Sequence, residues 1–204
     1  MDMSKHRRNR IMLKKSLRRE IRLFLLIFLG YFCQVSVVPY FAIGGVTPLL
    51  TMSVIAIITV AYGRLQAFWC GAIYGLLYEV MLPTHKLFQL ILYPAAALVG
   101  VILFPDKTAQ QLEIERSMGK PAQNRSPLLR TVLCSGVNTL IYEIVNIVYV
   151  FLRESSITPQ HFLTGFHVIL YTAGLTCLVM LPIRRFLGYR YQRKVAQKPK
   201  RYVG

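Results

Sequence analysis

Two carboxylates stand inside otherwise apolar sequence, Glu79 and Glu143. An ionised carboxylate at the centre of a membrane helix costs about 2.5–3.5 kcal/mol on insertion scales, and less near an interface. Each therefore needs a structural or functional reason. Glu143 belongs to a run in which Asn138, Thr139, Tyr142, Glu143, Asn146 and Tyr149 recur at helical spacing and share a face. Such a face does one of two things. It joins helices through hydrogen bonds worth about 0.6–2 kcal/mol each, or it lines a small-molecule pocket. Glu79 closes a different pattern. Counting by fours gives Gly63, Ala67, Gly71, Gly75 and Glu79, a stripe of small residues ending in an acid. That stripe predicts close helix packing or a partner contact, with Glu79 as a polar anchor or a snorkelling surface acid. Leu65, Phe68, Trp69, Ile73, Tyr74, Leu76 and Leu77 fall on the other sides of the same helix.

Other reactive residue types lack company. His85 has no second histidine or cysteine at ligand spacing and reads as an exposed loop residue. His167 reads as a hydrogen-bonded histidine of a helix bundle. Cys33, Cys70, Cys134 and Cys177 sit singly in four apolar stretches, with no C-x-x-C, and read as small apolar residues. There is no G-x-S-x-G, no H-E-x-x-H, no Gly-rich phosphate loop and no carboxylate pair at catalytic spacing. The expectation is a non-catalytic protein with no cofactor and no metal.

The elements that must position these residues follow from segregation. The chain is 54% hydrophobic yet carries a net charge of +17, and no Asp, Glu, Lys or Arg occurs between Leu23 and Gly63. That run exceeds the roughly 20 residues that cross a bilayer once. Six spans are expected, near Leu23–Val38, Pro48–Tyr62, Leu65–Leu82, Leu87–Phe104, Thr131–Leu152 and Phe162–Ile183. Lys and Arg number 9, 0, 1, 1, 5, 1 and 8 in the seven segments outside them. By the positive-inside rule both termini are cytoplasmic. The expected architecture is all-α: a polytopic membrane protein with six transmembrane helices in one bundle, spanning 23–183.

Around that bundle lie basic cytoplasmic segments at 1–22 and 184–204 and a polar cytoplasmic loop at about 105–130. The N-terminal segment interleaves nine cations with Ile11, Met12, Leu13 and Leu17. It reads either as an orientation signal or as a contact for anionic lipids, at about 1 kcal/mol per basic residue near the surface. No recognition fold accompanies the charge, so nucleic acid is not an expected partner. The loop reads as a solvated linker or a docking site, with a short polar helix at Ala109–Arg116. Pro39, Gly44, Gly45 and Pro48 mark a reversal, with Pro48 suited to the first turn of a short second helix. Pro94 predicts a kink in the fourth.

The order Gln34, Pro39, a glycine turn, Pro48-Leu49, then Gly71-x-x-x-Gly75-Leu76-Leu77-x-Glu79 resembles the MreD family of rod shape-determining membrane proteins. The likeness covers the first half, and the second half agrees in hydropathy and in a closing Leu181-Pro182-Ile183-Arg184-Arg185. This chain departs from the family in lacking an acid beside Pro48 and in having Glu79 for an aspartate. The resemblance implies a scaffold of the cell-elongation machinery. Its implied partners are an MreC-like periplasmic protein, an MreB-like filament protein, and the elongation glycosyltransferase and transpeptidase. The rival expectation is the substrate-binding membrane subunit of an energy-coupling-factor vitamin transporter, which would give the Glu143 face a ligand.

Overall fold

The computed structural model describes residues 3–81, 88–104, 117–118, 126–154 and 158–187, with side chains from Leu17 onward except at 18, 19, 153 and 154. Within these residues the chain is all-helical. Six α-helices follow one another: α1 Met3–Ser36, α2 Leu50–Tyr62, α3 Arg64–Met81, α4 Phe88–Leu103, α5 Pro127–Glu154 and α6 Pro159–Leu187. Each covers most of one expected apolar stretch, and α1 begins 20 residues before its own. By length and composition, two are long and apolar enough to cross a membrane, over Pro127–Leu152 and Pro159–Leu187, while α2 and α4 are shorter apolar helices. The expected helix at Ala109–Arg116, the Pro83–Lys86 turn with His85, and the tail beyond Leu187 lie outside the described residues.

Helix α2 is the centre of the bundle. It is 13 residues long, about 20 Å at 1.5 Å per residue, and every residue from Leu50 to Val60 is buried. A helix that is apolar all round belongs inside other helices, and α2 touches all five others. Leu23, Leu26 and Ile27 of α1, Ala67, Cys70 and Tyr74 of α3, Tyr93 and Ala97 of α4 and Met180 and Ile183 of α6 complete one core cluster with it. The exterior is strongly apolar: Phe32, Leu65, Trp69, Ile91, Leu152 and Leu178 are among many exposed large side chains.

Helix α1 runs unbroken from Met3 across the change of composition at residue 22 into the apolar stretch. Two local expectations are corrected. Pro48 does not open α2. Leu49 is its N-cap and Leu50 its first residue. Gly63 does not belong to the small-residue stripe of α3. It ends α2 with φ 86, a left-handed conformation that favours glycine, and its backbone N–H donates to the Thr59 carbonyl. Of the residues beside the stripe on α3, Tyr74 is fully buried, while Leu65, Trp69 and Leu76 are exposed. Between α1 and α2 the chain makes a 3-10 turn at Val38–Phe41 and then a tight reversal. Ile43 and Val46 exchange backbone hydrogen bonds of 3.1 and 3.0 Å across Gly44 and Gly45, whose φ values are 61 and 80. Positive φ at both central residues is what a two-residue hairpin turn of this hand demands.

Candidate functional site

The first four N–H groups of a helix have no intrahelical acceptor, and α2 is too enclosed for water to serve freely. Side chains from two other helices serve instead. The Gln34 side-chain amide, near the end of α1, accepts from the Leu50 N–H through Oε1 and donates from Nε2 to the Pro48 carbonyl at 3.1 Å. The Leu49 N–H donates to Thr172 Oγ1 of α6 at 3.0 Å. Gln34, Pro48 and Leu49 thus meet at one joint. Pro39 lies in the neighbouring 3-10 turn, where its carbonyl accepts from the Ala42 N–H at 3.3 Å.

One turn deeper is a hydroxyl knot. Thr176 Oγ1 lies 2.8 Å from both Ser53 Oγ and Ser135 Oγ, and 2.7 Å from the Thr172 carbonyl. A hydroxyl donates one proton. Thr176 therefore donates to one of these three at a time, Ser53 Oγ also donates to the Leu49 carbonyl at 3.5 Å, and α2, α5 and α6 are tied together at a fully buried point.

The small-residue stripe is consumed inside the molecule. A Cβ at Gly71 would lie 2.8 Å from Pro94 Cα and from the Tyr93 carbonyl oxygen, and one at Gly75 would lie 2.6 Å from the Gln89 carbonyl oxygen. Ala67 is buried one turn earlier. The stripe therefore faces α4, and its glycines allow backbone-to-backbone approach. Pro94 sits in this seam inside a continuous α4. Leu77 is half-buried against the core, Leu76 is exposed, and Glu79 is half-buried and engaged in an interaction of its own.

Beside this seam, tyrosines from four helices gather. Tyr78 stacks on Tyr93 at 5.2 Å between ring centroids and meets Tyr31 edge-on at 5.2 Å. Tyr93 also meets Tyr142 edge-on at 5.9 Å. Thr51 Oγ1 lies 3.5 Å from the Tyr93 hydroxyl, and the Tyr142 hydroxyl hydrogen-bonds Gln89. Offset and edge-on aromatic pairs add about 0.5–1.5 kcal/mol each beyond burial. Neither this cluster nor the hydroxyl knot follows from the sequence alone: the tyrosines and the hydroxyls lie on separate helices, and only the Tyr74–Tyr78 spacing of four hints locally at the aromatic face of α3.

The polar face of α5 divides between two neighbours. Asn138 is fully buried and turns to α4, where a Cβ at Gly100 would lie 2.6 Å from its Oδ1. Tyr142 joins the aromatic cluster. Glu143 hydrogen-bonds Asn146, and both line a cavity of about 350 Å³ between α5 and α6 with Thr158, Gln160, His161 and Thr164. Gly165 of α6 leaves room for the Glu143 carboxylate, its nearest neighbour. His161 Nδ1 lies 2.7 Å from Thr158 Oγ1 in the cavity wall. His167 does not point into the bundle. It is exposed, with Nδ1 2.7 Å from the Leu163 carbonyl of its own helix. All four cysteines are free thiols, and no group of three His, Cys, Asp or Glu side chains is placed to hold a metal among the described residues.

This is an all-helical bundle with an apolar exterior and a hydrogen-bonded polar interior. Comparison with protein-family models, with curated proteins and with solved structures returns no match for the chain.

Proposed function

We propose that the chain is a non-catalytic, multi-pass membrane scaffold of the cell-elongation machinery, as its resemblance to MreD implies. In this reading all six helices cross the membrane and both termini are cytoplasmic. The observation that carries the reading is the work done by the motif residues. Gln34, Pro48 and Leu49 build the α1–α2 joint, while Gly71 and Gly75 close α3 on α4. Those residues shape the bundle, so a partner docks elsewhere.

The connection between α1 and α2 supplies the surface. Counting along α6 from Arg184 to Thr172 at 1.5 Å per residue gives about 18 Å. In a hydrocarbon core of about 30 Å, α2 begins about 12 Å below the outer boundary. Residues 37–46 span that outer layer as far as the aqueous boundary, and Tyr40, Phe41 and Ile43 are exposed along it, Tyr40 by 88%. Irregular backbone at membrane depth is tolerated where protein covers it. A membrane-anchored partner, such as an MreC-like protein, meets that need. The basic segments at 1–22 and 184–204 hold the opposite face to anionic lipid.

The test is mass spectrometry of what co-purifies with the tagged chain from gently solubilised native membranes. Recovery of the elongation proteins is expected, and replacing Tyr40 and Ile43 by serine should lower recovery of the periplasmic partner on the order of tenfold. Recovery of none of them overturns the scaffold assignment.

The cavity holding Glu143 and Asn146 favours one other reading, a substrate-binding subunit of a vitamin transporter. Under it, an ATPase pair and coupling subunit co-purify instead. Glu143→Ala with Asn146→Ala would then abolish ligand binding by a protein that still folds.

A further inference from the structure

We propose that the cavity between the outer ends of α5 and α6 binds a primary ammonium group carried close to an oxygen-bearing group. An amino alcohol and the headgroup of an aminophospholipid share that chemistry. The proposal rests on the membrane reading with cytoplasmic termini, and it holds for a scaffold and for a transporter subunit alike.

Position comes first. Counting along α6 from Arg184 to Gly165 at 1.5 Å per residue gives about 28 Å. The hydrocarbon core is about 30 Å thick, so the cavity stands at the outer headgroup level. Asn146, Gln160 and Thr164 are exposed there and line a space of about 350 Å³ with Glu143 and His161. That volume suits a small molecule or a headgroup.

Charge selects the occupant. Glu143 hydrogen-bonds Asn146, and Gly165 sets no side chain against it, since a Cβ there would lie 3.6 Å from Oε2. His161 does not neutralise the acid. Its Nδ1 accepts the Thr158 backbone N–H at 3.2 Å and lies 2.7 Å from the Thr158 hydroxyl. An accepting Nδ1 carries no proton, so the ring is neutral with its N–H at Nε2. Among the described residues, the lining therefore holds one acid and no cation.

The kind of cation follows from the remaining groups. A guanidinium fork matches a carboxylate with both oxygens free, and Asn146 already donates to this one. A hard metal ion takes six to eight oxygen ligands, and no group of three His, Cys, Asp or Glu is placed for one among the described residues. An ammonium is a compact charge with three donors. The Glu143 carboxylate and the side-chain oxygens of Gln160 and Thr164 are three acceptors on two helices. The His161 Nε2–H and the Gln160 amide are donors, suited to an oxygen a few bonds away from the ammonium.

The probe is ethanolamine, added to the detergent-purified full-length protein and followed by saturation-transfer NMR, with ethylene glycol and choline as controls. Ethanolamine should bind on the order of tenfold more tightly than either control, and Glu143→Gln should remove that preference. Thr164→Leu fills an exposed wall position with the carboxylate intact and should weaken binding similarly. Native mass spectrometry with equimolar phosphatidylethanolamine and phosphatidylcholine separates the sources. Glu143-dependent retention of phosphatidylethanolamine assigns the headgroup, and ethanolamine binding without that retention assigns a free solute. Ethanolamine no better than ethylene glycol, with no lipid preference, overturns the site. A preference that survives both variants overturns its location. A chain recovered in the aqueous phase without detergent overturns the membrane reading itself, and the proteins that co-purify are read separately.

Discussion

Replacing Gly75 with alanine adds one methyl group, and the seam between α3 and α4 has no room for it. The added carbon would lie 2.6 Å from the Gln89 carbonyl oxygen and 2.8 Å from Leu90 Cα. Ordinary contact begins near 3.4 Å, so α4 must retreat by about 0.8 Å. The obstacle is backbone, which has no rotamer to change. Overpacking of this kind costs about 1–3 kcal/mol. Alanine is also a better helix former than glycine by roughly 1 kcal/mol, which offsets part of that cost. Gly136 and Gly174 separate the two effects, because an added methyl meets nothing within 4 Å at either position. Gly136→Ala therefore receives the helix gain alone. The variants should differ by about 1–3 kcal/mol, or roughly 2–12 °C in apparent Tm for a chain of this size. Thermal scans of detergent-solubilised protein, read by size-exclusion recovery, measure the difference. Equal melting of Gly75→Ala and Gly136→Ala would refute the argument that the stripe faces α4.

Further outcomes follow from the joint and the knot. Gln34→Leu removes both side-chain contacts at the start of α2 and should cost about 1–2 kcal/mol. Gln34→Glu keeps the acceptor for the Leu50 N–H but presents an oxygen to the Pro48 carbonyl, so it should not restore full stability. A melt unchanged in both variants would remove Gln34 as a clamp. Thr176→Val removes the hydroxyl that Ser53 and Ser135 share as a partner and should cost about 1–3 kcal/mol. The triple variant Ser53→Ala, Ser135→Ala, Thr176→Val should recover most of that loss, and a triple variant worse than the single one contradicts the knot.

The six helices were legible because charge and apolar length are segregated in this chain, and the breaks at Gly63 and at 37–49 carry glycine and proline. The small stripe was legible as a packing surface for the same reason: Ala67, Gly71 and Gly75 keep a spacing of four. What it packs against was not, because spacing specifies a face and says nothing of its neighbour. Gly63 continued the count arithmetically but not physically, since its positive φ ends one helix and precludes membership of the next. The α5 polar face was legible as a face. Its division, with Asn138 and Tyr142 toward α4 and Glu143 and Asn146 toward α6, depends on where two other helices stand. The hydroxyl knot was the least legible, because Ser53, Ser135 and Thr176 lie on three helices separated by up to 123 residues. No local pattern links them.

The account turns on α2 as a short crossing helix whose two ends face opposite sides of the membrane. Impermeant thiol labelling of single cysteines in a background without the native four tests this directly, with Tyr40→Cys in the exposed connection before α2 and Arg64→Cys after it. Intact cells with a permeabilised outer barrier should label Tyr40→Cys, and Arg64→Cys should react only after the inner membrane is opened. Labelling of both from the same side would contradict it.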